Sequence, residues 1–152
     1  MLPPLGFLWC GNVVAARRAV RWVLTTFPVC YAAFILFPVA GPYYELPRPE
    51  PGFLDNPPAR LVYAVLARWS SYGAAFPSSH VAAAVAATWA GFEGSRRVGW
   101  LLLGPTLLLT VGVVYCQMHY GVDALAGLGV GLAAGAAGRA LERPAARPAG
   151  SR

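Results

Sequence analysis

The chain has 152 residues, enough for one domain, but charged residues make up only 12% of it and hydrophobic residues 57%, where an average protein carries about 25% charged residues. A soluble core of this size has no room for that much apolar side chain, whereas a bilayer accepts it. The net charge is +6 and all twelve basic residues are arginine; they cluster between apolar runs, which reads as charge at membrane edges and not as a nucleic-acid surface.

Leu2 to Ala16 is apolar but short, opens with Pro3-Pro4 and lacks the basic start of a signal peptide. It is read as a partial span or an interfacial segment. Trp22 to Ala40 carries no charge and meets the length of about 20 residues that a spanning helix needs. The loop from Gly41 to Ala75 follows, with Pro42, Pro47, Pro49, Pro51, Pro57 and Pro58, which prevent long regular helix. Within it, Ala59 to Ser70 keeps helical period and predicts a short helix in the membrane interface.

Phe76 to Phe92 is an Ala-rich second span, Val98 to Met118 a third, and Gly121 to Ala140 a fourth. The expected fold is an all-α, polytopic transmembrane helix bundle with four spans and a possible partial fifth at the N-terminus. One membrane-embedded domain covers 1–141, and the Ala/Pro/Arg-rich residues 142–152 form a disordered cytoplasmic tail. Cys10, Cys30 and Cys116 all lie in apolar stretches with no metal or disulfide spacing.

Alternating spans put Arg17, Arg18, Arg21, Arg96, Arg97, Arg139, Arg143, Arg147 and Arg152 on one side, against Arg48, Arg60 and Arg68 on the other. By the positive-inside rule the first group is cytoplasmic. The Gly41–Ala75 loop and the turn at His119 to Gly121 are then extracytoplasmic, in a membrane expected to be the plasma membrane. Gly127, Gly131 and Gly135 form a small-residue stripe at four-residue spacing. It reads first as packing inside the bundle, and it also leaves an oligomer possible.

Polar side chains at span ends are the functional suspects. The two histidines, His80 and His119, both fall at the outer face, as does Asp123. His119 and Asp123 are four apart, so on a helix they share a face; a carboxylate there holds one imidazole tautomer and leaves the other nitrogen free to act as nucleophile or base. Spacing alone leaves a plain interfacial hydrogen bond as an alternative. In Phe76-Pro77-Ser78-Ser79-His80, proline suits a first helical turn. The serines and free N–H groups there make a ready anion site, although the serines also serve simply as caps. A nucleophilic His with its Asp, an acid His and a helix N-terminus together suit phosphoryl transfer through a phospho-histidine, with no metal or cofactor.

These residues resemble the type-2 phosphatidic acid phosphatase superfamily, whose motifs are K-x6-R-P, P-S-G-H and S-R-x5-H-x3-D. Pro77-Ser78-Ser79-His80 resembles the second motif, with Ser79 in place of Gly, and His119 with Asp123 matches the H-x3-D of the third. The resemblance implies His119 as nucleophile, Asp123 as its orienting partner, His80 as acid to the leaving group, and Ser78, Ser79 and Arg48 around the phosphate. It also implies a lipid phosphate or diphosphate as substrate, reached from among the membrane lipids.

The match is divergent. Val113 and Gly112 stand where the third motif has Arg and Ser. Arg48-Pro49 looks like the end of the first motif, but Gly41 stands where its Lys belongs. Phe37-Pro38-Val39-Ala40-Gly41-Pro42 is similar to the Pro-rich entry of an inositolphosphotransferase-like branch, so head-group transfer stands beside hydrolysis. Family members usually have six spans, so the chain also looks short at its N-terminus. The alternative function is a catalytically inactive relative serving as membrane scaffold or partner subunit. A two-histidine metal or haem protein fits less well, because such ligands usually bring further partners.

Overall fold

The computed structural model describes residues 13–47, 50, 52 and 55–142. Six helices occur among them: α1 Val13–Leu36, α2 Pro42–Glu45, α3 Pro57–Trp69, α4 Ser79–Gly94, α5 Arg96–Tyr115 and α6 Gly121–Glu142. No strand occurs among the described residues; the nearest approach is a lone parallel bridge between Val39 and Ala74. The described residues are therefore all-helical, as the apolar runs predict.

Three helices, α1, α5 and α6, are long and apolar enough to cross a membrane. The expected second span is shorter than Phe76 to Phe92 implied, because its first turn begins only at Ser79 and it ends at Gly94 after 16 residues. At 1.5 Å per residue that is about 24 Å, less than a hydrocarbon core of about 30 Å. Yet α4 is the centre of the bundle and packs against α1, α5 and α6. Its Val81, Ala82, Ala86, Ala87, Ala90 and Gly91 are buried, and small side chains of this kind let neighbouring backbones come close. By contrast α5 buries only Gly99, Thr106 and Val113 and leaves Leu101, Leu107 and Leu108 bare.

Two further expectations shift. Val13 to Ala16, read as part of a separate N-terminal segment, belong to α1, which also takes in Arg17, Arg18 and Arg21 ahead of Trp22; residues 1–12 lie outside the described residues. Glu142, expected to open the tail, is the last residue of α6; it forms an ion pair with Arg18 at 2.5 Å and accepts from Arg21 at 3.0 Å. Residues 143–152 lie outside the described residues. The short helix expected over Ala59 to Ser70 forms as α3, with Asn56 as its N-cap residue and proline in its first turn.

The glycine stripe of α6 faces α4. A Cβ on Gly131 would sit 2.6 Å from the Ala82 carbonyl oxygen, and one on Gly127 would strike the Ser78 carbonyl. All three stripe glycines are buried, so the stripe sets how closely the His80 and Asp123 helices approach.

Candidate active site

The α4 and α6 starts meet at one end of the bundle. Ser78 caps α4, its hydroxyl accepting from Val81 N–H at 3.4 Å, while its own N–H donates to the Asp123 carbonyl at 3.0 Å. Ser78 is fully buried. Its hydroxyl is engaged as a cap, and the neighbouring Ser79 is the serine that lines the cavity beside His80. Beneath, Val81, Val113 and Ala124 form a small apolar core with Val85 and Met118 packed on it.

His119 lies in the short turn between α5 and α6 and is 5% exposed. The N–H groups of Met118 and His119 both donate to the Val113 carbonyl, at 2.9 and 3.0 Å, so the turn is tightly closed. The two histidine rings approach to 5.9 Å between centroids, although 39 positions separate them in sequence. The α4–α5 hairpin returns the chain to the same end.

The partner that orients His119 is not the one the spacing suggests. Nδ1 lies 2.8 Å from the Ala75 carbonyl oxygen and 3.8 Å from Asp123 Oδ2, beyond hydrogen-bond reach. A carbonyl only accepts, so Nδ1 carries the proton and Nε2 keeps its lone pair. Asp123 stands behind the pair, and its Oδ2 accepts from the Tyr120 N–H at 2.8 Å. Burial pushes the His119 imidazole down to about 4; the Ala75 hydrogen bond works against this, and His80 nearby adds to it. His119 is thus neutral through the physiological range, the state a nitrogen nucleophile requires.

A cavity of about 270 Å³ opens over the two histidines. Its walls include Tyr31 and Phe34 of α1, Tyr43 and Tyr44 of α2, and Val65 and Leu66 of α3. Gly41, where the resemblance would put a lysine, is buried in this wall. A Cβ there would lie 3.0 Å from the Met118 carbonyl oxygen, so the backbones of the two motif segments touch. Ala75 N–H donates to Val39 carbonyl at 3.1 Å, closing the same wall. Arg48 lies outside the described residues; Arg60 and Arg68 are exposed on α3. Among the described residues, no group of three or more His, Cys, Asp or Glu gathers to hold a metal.

Residue spacing carries no signal for Ala75, because a backbone carbonyl has no residue-type signature. Nor does it mark the aromatic wall, for which the Tyr43-Tyr44 pair beside the prolines was the available signal.

No curated protein and no solved structure matches the chain. A family model described as the PAP2 superfamily matches residues 1–137, a span that contains both histidines, Asp123, the whole of α1, α4 and α5 and most of α6. That membership suggests phosphatase-type activity and, with the three apolar helices, a membrane protein. With residues 1–137 of its 152 matched, the chain belongs to the PAP2 superfamily.

Proposed function

We propose that the chain is a membrane phosphatase or phosphotransferase acting on a lipid phosphate or diphosphate, through a phospho-histidine on His119, at the extracytoplasmic face of the plasma membrane. The observation that carries this reading is the hydrogen bond from Nδ1 to the Ala75 carbonyl, which leaves a neutral Nε2 at a cavity shared with His80.

In the first step Nε2 attacks phosphorus, an N–P bond forms, and the bond to the leaving oxygen breaks. His80 gives that oxygen its proton. In the second step water, or the hydroxyl of an acceptor head group, attacks phosphorus while His80 takes up its proton and the N–P bond breaks. Ser79 and the free N–H groups at the start of α4 receive the phosphoryl oxygens, with Ser78 holding that turn. Arg48 is the arginine closest to the family pattern for charge on the phosphate, and no metal takes part. Asp123 supports the imidazolium-like charge that develops on His119.

In this reading α4 crosses the membrane as a fourth span, because it is enclosed by the three long helices and its shortness leaves the site recessed below the surface. The paired arginines at the opposite end then face the cytoplasm. An amphiphilic substrate suits that depth, its head group reaching the cavity while its chains stay in lipid.

The test is phosphate release and head-group exchange by detergent-purified protein over a panel of lipid phosphates and diphosphates, with EDTA present and His119→Ala and His80→Ala run alongside. EDTA-resistant turnover lost in both variants supports the mechanism, and the best substrate separates hydrolysis from transfer. A folded wild-type protein with no turnover on the panel overturns the reading in favour of a scaffold.

A further inference from the structure

The turn that carries His119 is held from outside as well as from within. Gln117, two residues earlier, has φ 56°, in the left-handed region that residues with a Cβ seldom adopt. Its amide is engaged at both atoms. The Tyr63 hydroxyl donates to Oε1 at 2.9 Å, and Nε2 reaches the Pro47 carbonyl at 3.5 Å.

Tyr63 belongs to the buried face of α3 together with Ala59 and Leu66, and its ring lies 6.1 Å from that of Tyr43. The same helix walls the cavity through Val65 and Leu66, and the residues just after it do so through Ser70 and Ser71. On its other side Leu61 is bare, flanked by exposed Arg60 and Arg68, the pattern of a helix lying in a membrane interface. One side-chain hydrogen bond therefore joins the helix that covers the cavity to the turn that carries the imidazole.

We propose that Tyr63 and Gln117 are positioning residues: their hydrogen bond couples the seating of α3 over the cavity to the placement of His119 against the Ala75 carbonyl. This rests on the reading of His119 as nucleophile. With the bond broken, Gln117 relaxes out of its left-handed conformation, the turn at 118–119 rotates, and the contact from Nδ1 to Ala75 lengthens. Neither residue touches the reacting atoms, so the effect falls on turnover more than on substrate binding.

The experiment uses the full chain in detergent with the best substrate of the panel. Tyr63→Phe keeps the ring and removes only the hydroxyl; Gln117→Ala removes the acceptor. Each lowers kcat about tenfold, the size of one lost hydrogen bond, with KM within about twofold. The double variant falls no further than the worse single one, and Gln117→Glu, whose carboxylate still accepts the Tyr63 proton, keeps about half the activity or more. Unchanged kcat in the single variants, or losses that multiply in the double, overturns the proposal.

A second readout needs no turnover. Amide hydrogen exchange over 116–120 speeds up in Tyr63→Phe while the central turns of α4 stay protected; unchanged exchange over 116–120 overturns the coupling. A wild-type protein that turns over nothing defeats the phosphatase reading, and the exchange result still decides the coupling.

Discussion

The two ends of the bundle handle polar groups in opposite ways, although α4 and α6 contribute to both. At one end Arg18 and Arg21 pair with Glu142, and Arg139 pairs with Glu93 at 3.1 Å. These side chains are partly exposed and meet one another as side chains. At the other end His119 and Asp123 are almost fully buried, and each is satisfied by a backbone group, the Ala75 carbonyl and the Tyr120 N–H. Exposed ion pairs are screened and contribute little to stability. A buried polar group is costly unless its partner is fixed, and a partner on the backbone is fixed by the fold itself. In the proposed function the first end orients the protein in a membrane and the second carries the chemistry.

The largest test of this contrast is at the site. His119→Ala brings turnover to background, and His80→Ala lowers it by about 10²- to 10⁴-fold, the range for a lost general acid. Both proteins still elute as folded species in size-exclusion chromatography. Asp123→Asn is milder, with turnover falling about tenfold. The Ala75 carbonyl, and not Asp123, holds Nδ1, so only a charge behind the imidazole is lost while the amide oxygen still accepts from Tyr120. A loss as large as that of His119→Ala would mean that Asp123 moves onto Nδ1 during the reaction.

Acid titration comes next in size. The folded His119 value, about 4, lies below the ordinary 6.5, so between these values the unfolded chain binds more protons than the folded one. The resulting stability is complete above pH about 6.5 and is lost as pH falls toward about 4. The thermal midpoint measured across that window drops in the wild type and drops less in His119→Asn. An identical drop in both would place the titration elsewhere. The smallest effect belongs to the far end: Glu142→Ala removes two partly exposed pairs and costs about 1 kcal/mol or less. It leaves kcat unchanged, and a measurable loss of turnover would show that the two ends communicate.

Much of this was legible in the residues. Apolar runs of spanning length, arginine clusters between them and the proline-rich loop carry the all-helical reading, because hydropathy and proline act locally. The helical period over Ala59 to Ser70 locates α3 to within a few residues. His80, His119 and Asp123 stand out because polar residues at the ends of the apolar runs are few. The end of α6 was harder, since Glu142 reads as tail, whereas in the fold it closes α6 and pairs with Arg18 and Arg21, more than a hundred positions away.

Amino-acid order by itself determined which segments are apolar, which ends carry charge and which three side chains are the candidates for phosphate chemistry, since each of these follows from residue type and local spacing. Only the tertiary structure decided that the shortest apolar helix is the central one, that Gly131 lets α6 close on α4, that His119 is held by the Ala75 carbonyl, and that Tyr63 reaches Gln117 in the same turn. These depend on backbone atoms and on residues distant in sequence. Every residue carries the same carbonyl, so only the folded path of the chain selects which one meets the imidazole.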